Sequence, residues 1–295
     1  MRALPVFMTR ASKTPIHKRI SDLMRGIFEV DPPIIEGEDP LILIGSLIRN
    51  HEAHFFPASE EIPPLKLELT NITLYPAFGG FGVLKALADS DPGEYYKTLW
   101  RRSAEFPTWI GSCDYQQPFD DILQAFSETK FGGARLTSEG RQALVTLSDA
   151  VGLIREGRLS AKMSTEEVSS VPIPVSKSEP IIDAIRQMIA LNVRRLFLKK
   201  GQGKFISDRT VIDYIFSPQR LEVARDHPEL WLNEAVEKVD TKVPARCKTG
   251  SLDAAARAMG PEPDDCLMTD EFRLISRWDL VVKPWRMGKL EALGN

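Results

Sequence analysis

The sequence predicts an α+β protein made of four copies of one β-α-β-β-α unit, and three observations carry that expectation. First, four short stretches each open a helical pattern: Asp39-Pro40-Leu41-Ile42, Gln117-Pro118-Phe119-Asp120, Glu179-Pro180-Ile181-Ile182 and Gly250-Ser251-Leu252-Asp253. Second, a short apolar stretch follows each helix, at Phe55-Phe56-Pro57-Ala58, Ala134-Arg135-Leu136, Leu196-Phe197-Leu198 and Cys266-Leu267-Met268. Third, each of the last three units closes on a strand that runs into a second helix, with a hydroxyl residue at the junction. Helix start and hydroxyl are 28, 27 and 25 residues apart (Pro118 to Thr146, Pro180 to Ser207, Ser251 to Ser276). Recurrence at near-constant spacing marks a repeated supersecondary unit.

The helices are read from their period and their starts. Ile181, Ile182, Ile185, Met188 and Ile189 mark one face at helical spacing. Pro in the first turn is a start signal, because an N–H there has no intrahelical partner to lose. The closing segments are Ala143 to Asp149, Lys204 to Thr210 and Arg273 to Asp279. The first unit is looser. Its best match to the closing signature is Gly79-Gly80-Phe81-Gly82, with Ser59 to Pro64 and a strand over Leu65 to Leu74 read as an insertion. Outside the units, residues 1–18 read as a basic arm or first strand, and Arg155 to Glu167 and Pro218 to Asn233 as polar connectors or linker helices. Leu221, Val223, Leu230 and Trp231 are expected to dock the second connector between modules, and the tail beyond Lys283 to lie on the surface. The expected division is an arm at 1–18, a first pair of units at 19–160 and a second pair at 161–295.

Composition narrows the function. The chain has 295 residues, of which 43% are hydrophobic and 27% charged, as in a globular protein. Its 38 Lys and Arg against 41 Asp and Glu leave a formal net charge of −3, so nucleic acid is not an expected partner. No run of 18 apolar residues is present, so no membrane span is expected. The opening Met-Arg-Ala-Leu-Pro-Val-Phe-Met-Thr-Arg is too short and too broken to read as a signal peptide. Cys113, Cys247 and Cys266 are far apart and odd in number, which points to a reducing cytoplasm rather than a disulfide scaffold. His51 and His54 stand at i, i+3 with no third ligand nearby, so no metal is expected. Gly-x-Gly-x-x-Gly, Gly-x-x-x-x-Gly-Lys-Ser/Thr and Gly-x-Ser-x-Gly are all missing from the sequence.

A β-α-β-β-α unit ending in an apolar-x-Ser/Thr-x-x-Asp turn resembles the cystathionine-β-synthase (CBS) domain, over roughly residues 19–287. Such domains pair through their sheets into Bateman modules. Four in one chain look like the gamma subunit of AMP-activated protein kinase and its archaeal relatives, and Asn192-Val193-Arg194-Arg195-Leu196-Phe197-Leu198 is the closest local match. The resemblance implies a non-catalytic sensor of AMP, ADP or ATP that acts on a protein partner, with a homodimer left open. It places Thr146 with Asp149, and Ser276 with Asp279, on ribose and phosphate. An ionised carboxylate accepts two ribose hydroxyls, and a helix start receives phosphate. Ser207 keeps the hydroxyl, but Thr210 stands where Asp is expected, and the first unit offers only Gly79 and Gly82. Arg194 and Arg195 are read as phosphate ligands. Arg135 and Arg273 are read as solvated charges at strand ends. Adenine is expected against first-strand segments: Trp109 and Ile110, Val171 and Pro172, and Val243. Trp278 is a weaker candidate for stacking.

The same turn has a structural reading, since Ser/Thr-x-x-Asp is also a capping box. Three rivals follow. The ligand could be S-adenosylmethionine, the units could be a scaffold with degenerate sites, or acidic pairs such as Asp120-Asp121 or Glu166-Glu167 could catalyse. Those pairs read better as caps or solvated faces.

Overall fold

The computed structural model describes residues 16–24, 34–50, 55–59, 63–66, 73–130, 132–199, 203–262 and 265–293. Most of the expected arm, both His51 and His54, and Asp264 lie outside them. After α1 (Ile20–Leu23) the first unit comprises α2 (Leu41–Asn50), β1 (Phe55–Pro57), β2 (Leu65–Lys66), β3 (Thr73–Gly79) and α3 (Gly80–Ala88). Ahead of α2, Ile35 forms a parallel bridge with Ala58 at the place of an opening strand. A short helix α4 (Tyr95–Leu99) leads to the second unit: β4 (Thr108–Asp114), α5 (Phe119–Thr129), β5 (Gly133–Ser138), β6 (Arg141–Thr146) and α6 (Leu147–Arg155). Then β7 (Leu159–Ala161) and α7 (Thr165–Val168) connect to the third: β8 (Pro174–Val175), α8 (Ile181–Leu191), β9 (Arg195–Leu198), β10 (Phe205–Ser207) and α9 (Asp208–Ile215). Helices α10 (Pro218–Asp226) and α11 (Pro228–Trp231) precede the fourth: β11 (Ala245–Cys247), α12 (Leu252–Ala258), β12 (Leu267–Thr269), β13 (Leu274–Ile275) and α13 (Arg277–Arg286). The last strand is β14 (Leu290–Ala292).

Units two, three and four share one strand pattern. The first strand runs parallel to the second across the helix, and the second is antiparallel to the third. Three units are therefore complete among the described residues, and the first has α2, β1, β3 and α3 in the matching order with β2 added. Helix α8 shows why the segments fold so. Ile181, Ile182, Ile185 and Met188 are all buried on one face, each worth roughly 1.5–3 kcal/mol. The helix stops where Asn192 turns left-handed at φ 51° and returns its N–H to the last turn.

Sheets join units in sequence order. Phe55 and Ala77 of the first unit pack on Ile110 and Leu144 of the second, and β3 pairs with β4 into one six-stranded sheet. Phe197 and Phe205 of the third unit pack on Cys266 and Met268 of the fourth. That second pair also exchanges backbone: Ser170 bridges Leu274, and Lys242 bridges Phe205. Helices join units across the chain midpoint. α2 and α3 pack on α8 and α9, while α5 and α6 pack on α12 and α13. The four blocks thus close into a ring, sheet to sheet within each pair and helix to helix between pairs.

Two expectations are corrected. The connector after Arg155 is neither polar throughout nor a linker helix, because Leu159, Ala161 and Met163 are buried and β7 pairs with β14 ahead of the short α7. The tail beyond Lys283 is not a surface segment, since Trp285 and Leu290 are buried in the same core. Both were hidden by flanking charges, and β7 has its partner some 130 residues away in β14. Trp231 is fully buried beside Tyr95 and Phe216, its Nε1 donating to the carbonyl of Ile215 at 3.2 Å.

Candidate functional site

Each closing turn sits where a strand hands the chain to a helix, so its first N–H groups lack intrahelical partners. In the second unit the N–H and hydroxyl of Thr146 both donate to Asp149 Oδ2, at 2.7 and 2.8 Å, and the Asp149 N–H donates back to the hydroxyl at 3.4 Å. This is a capping box. Asp149 is nevertheless exposed, and its Oδ1 has no hydrogen-bond partner among the described residues. Thr146 is half-buried, and it lies opposite Gly133 on β5.

The fourth unit repeats the box with a different outcome. Ser276 donates its N–H and hydroxyl to Asp279 Oδ2 at 2.8 and 2.6 Å, but Lys283 Nζ takes Oδ1 at 2.6 Å. The Asp279 side chain keeps only 7% of its exposure. In the third unit Ser207 and Thr210 cap each other at 2.9 and 3.1 Å and both are buried. The first unit is closed by packing: a Cβ on Gly82 would lie 3.1 Å from Thr108 Oγ1 and 3.2 Å from the Phe106 carbonyl. The chain entering β4 crowds this position, so that a side chain there would have to push its neighbours back by a few tenths of an ångström.

The cations divide. Arg194 turns to Asp208, donating from Nε and Nη2 to one oxygen at 2.8 and 2.6 Å. Arg195, opposite Ser207 on β9, crosses into the fourth unit and donates to the Asp265 carbonyl at 3.2 Å. Arg277, beside Ser276, meets the same carbonyl at 3.2 Å and that of Gly260 at 2.8 Å. The structure therefore brings Arg195, but not Arg194, to the fourth unit's helix start. Arg135 and Arg273 are not solvated charges. Arg135 is buried with its guanidinium 4.3 Å over the Tyr75 ring, and Arg273 holds Ser169 Oγ and O at 2.8 Å each. Their partners come from other units, so the neighbouring sequence gave no warning.

Among the apolar candidates, Val171 and Val243 are exposed (71% and 67%) and Pro172 is half-buried. Trp109 is half-buried opposite Pro76. Ile110 is corrected: it is fully buried against Phe55 and Ala77 of the first unit and reaches no surface, because strand alternation points it inward. Trp278 packs on the helical core beneath Arg286, 5.6 Å away.

Acidic pairs and thiols have structural roles. Asp120 accepts Trp285 Nε1 at 2.6 Å, and Glu167 closes a capping box with Ser164. Burial pushes the Cys113 thiol up to about 12, with Asp121 adding to it, and burial also raises Cys247. Neither thiol is a ready thiolate. Two open cavities lie away from the closing turns. One of about 520 Å³ is lined by Lys162, Ser164, Ser251 and Asp253, and one of about 380 Å³ by Arg49, Asp213, Tyr214 and Asp240. No described helix is long and apolar enough to cross a membrane.

Sequence reasoning missed Lys283 and Arg277. The signal for Lys283 was present, a Lys four residues after Asp279, one helical turn on.

No family model matches the chain, and no curated protein matches it. Among solved structures it is similar to a Methanocaldococcus jannaschii protein described as a proposed archaeal homolog of g-AMPK. The TM-score is 0.72 at 11% identity, over 90% of this chain and 99% of that one. An uncharacterized conserved protein of Pyrococcus horikoshii aligns at TM-score 0.46 and 12% identity, over 86% of this chain and 96% of that one. A CBS-domain containing protein of Agrobacterium tumefaciens aligns at 0.34 and 13%, over 47% and 95%. The first likeness shows a shared fold over nearly the whole chain. The expected α+β architecture and the resemblance to archaeal relatives of the AMPK gamma subunit are met at the level of fold.

Proposed function

We propose that this chain is a non-catalytic regulatory protein that binds an adenine nucleotide (AMP, ADP or ATP) at the second unit's turn, through Thr146 and Asp149. The supporting observation is the exposed carboxylate of Asp149, whose Oδ1 has no hydrogen-bond partner among the described residues and stands at the start of a nine-residue helix. Ribose hydroxyls donate to such an oxygen, and the helix start with Thr146 receives phosphate. The fold shared with a proposed archaeal homolog of g-AMPK adds weight. Binding between paired units would act on a protein partner by favouring one relative pose of the pairs, which requires two poses of unequal affinity.

A second reading, a scaffold whose turns only cap helices, is favoured by the other three units. Asp279 is engaged by Lys283, Ser207 and Thr210 are buried, and Gly82 offers neither hydroxyl nor carboxylate and is crowded by Thr108 and Phe106. S-adenosylmethionine differs from the nucleotides in needing no phosphate contact.

Calorimetric titration with AMP, ADP, ATP and S-adenosylmethionine separates these readings. An adenine nucleotide is expected to bind wild type and Asp279→Ala alike, and to lose about tenfold or more in affinity in Asp149→Ala, the worth of one charge-assisted hydrogen bond. Silence toward every ligand from folded protein would leave the scaffold.

A further inference from the structure

In the fourth unit a side chain of the protein itself holds the carboxylate of the turn. Lys283 stands one helical turn after Asp279 on α13, and its ammonium donates to Asp279 Oδ1 at 2.6 Å and to the Val168 carbonyl at 2.5 Å. The matching positions are Leu153 in the second unit and Tyr214 in the third, neither of them a cation. Around this contact residues 168–170 are strapped to the turn at successive points. Val168 is held by Lys283. Ser169 is held by Arg273 through Oγ and O at 2.8 Å each. Ser170 exchanges both backbone hydrogen bonds with Leu274, at 2.9 and 2.7 Å, two residues before Ser276. Asp279 is buried beneath this arrangement, whereas Asp149 is exposed.

We infer that Lys283 is an autoinhibitory latch. Its ammonium occupies the acceptor oxygen that a ligand hydroxyl would use, and it pins the 168–170 strap across the fourth unit's turn, so that this turn takes a ligand only once Lys283 has moved away. The inference rests on the reading that such turns receive a nucleotide. A charge-assisted bond from an ammonium is stronger than one from a neutral hydroxyl, so an incoming ribose is the weaker competitor for Asp279. The strap reinforces the latch, because releasing Lys283 also frees one of its three anchoring residues.

The test uses the full chain as wild type, Lys283→Met, Lys283→Arg and the double variant Lys283→Met with Asp279→Ala. Hydrogen exchange of the strap and calorimetric stoichiometry with AMP, ADP and ATP are read together. Strap amides are expected to exchange about tenfold faster in Lys283→Met and near the wild-type rate in Lys283→Arg, which keeps the ion pair. Nucleotide stoichiometry is expected to rise from one to two per chain in Lys283→Met and to return to one in the double variant. Unchanged strap exchange in folded Lys283→Met overturns the latch, whatever binds. Faster exchange with stoichiometry still at one overturns the competition for Asp279. Faster exchange with no nucleotide bound by wild type or any variant overturns the nucleotide reading of the turns and the autoinhibitory role with it, leaving Lys283 as an anchor of the strap alone.

Discussion

Asp121 lies on the first turn of α5 beside Asp120. Burial is the larger reason its carboxyl is raised above the usual range, and the neighbouring charge is the smaller. An acid raised in the folded state favours folding while it is protonated, and that contribution is lost as pH climbs through its folded value. Asp121→Asn is therefore expected to raise the thermal midpoint near about pH 7, and to make no difference near about pH 3, where both states are protonated. Equal midpoints at neutral pH would contradict this. At this scale the local patterns were legible: Thr146 with Asp149 and Ser276 with Asp279 form their boxes because the partners are three residues apart. What surrounds each box was not. Asp149 is exposed and Asp279 buried, although the two motifs look alike in the chain. Arg135 and Arg273 likewise depend on Tyr75 and Ser169, residues contributed from other parts of the fold.

Strands meet closely where the first two units join. Gly133 faces Phe55, and a Cβ on it would lie 2.2 Å from the Phe55 ring. That ring is itself buried against Ala77 and Ile110, so it has little room to withdraw. Gly133→Ala is expected to destabilise the protein by about 1–3 kcal/mol, as overpacking does. A urea midpoint reads the loss, and adding Phe55→Leu should recover part of it; an unshifted midpoint would mean that the Phe55 ring yields freely. Element identity was largely legible from helical period, Pro at the starts and the recurring strand-to-helix junction. The misses were elements whose partner is distant. β7 was hidden in a charged connector and β14 in a charged tail, and each is a strand only because the other lies beside it. A two-strand pair of this kind has no independent stability to announce itself in sequence.

The two large cores each draw on both halves of the chain. One joins α5 and α6 to α12 and α13, the other α2 and α3 to α8 and α9, with Trp231 and Tyr95 buried in the second. Neither half can expose its helices without opening both cores. Calorimetry is therefore expected to show one cooperative unfolding transition, with the calorimetric and van't Hoff enthalpies equal. Two resolved transitions would show that the sheet-joined pairs unfold separately. Residue 160, near the expected division between pairs, lies within β7 and is paired to the last strand.

The sequence by itself determined the repeat, the α+β class and the chemistry available at each closing turn, because hydrophobic period, helix-start residues and i, i+3 capping pairs are short-range properties. Only the tertiary structure decided which turn remains open. Burial, the Arg194–Asp208 pair, the Lys283–Asp279 pair and the approach of Phe106 to Gly82 all depend on where chain segments meet in space. Exposure and electrostatic partnership are set by packing between units, and a repeated motif carries no record of its neighbours.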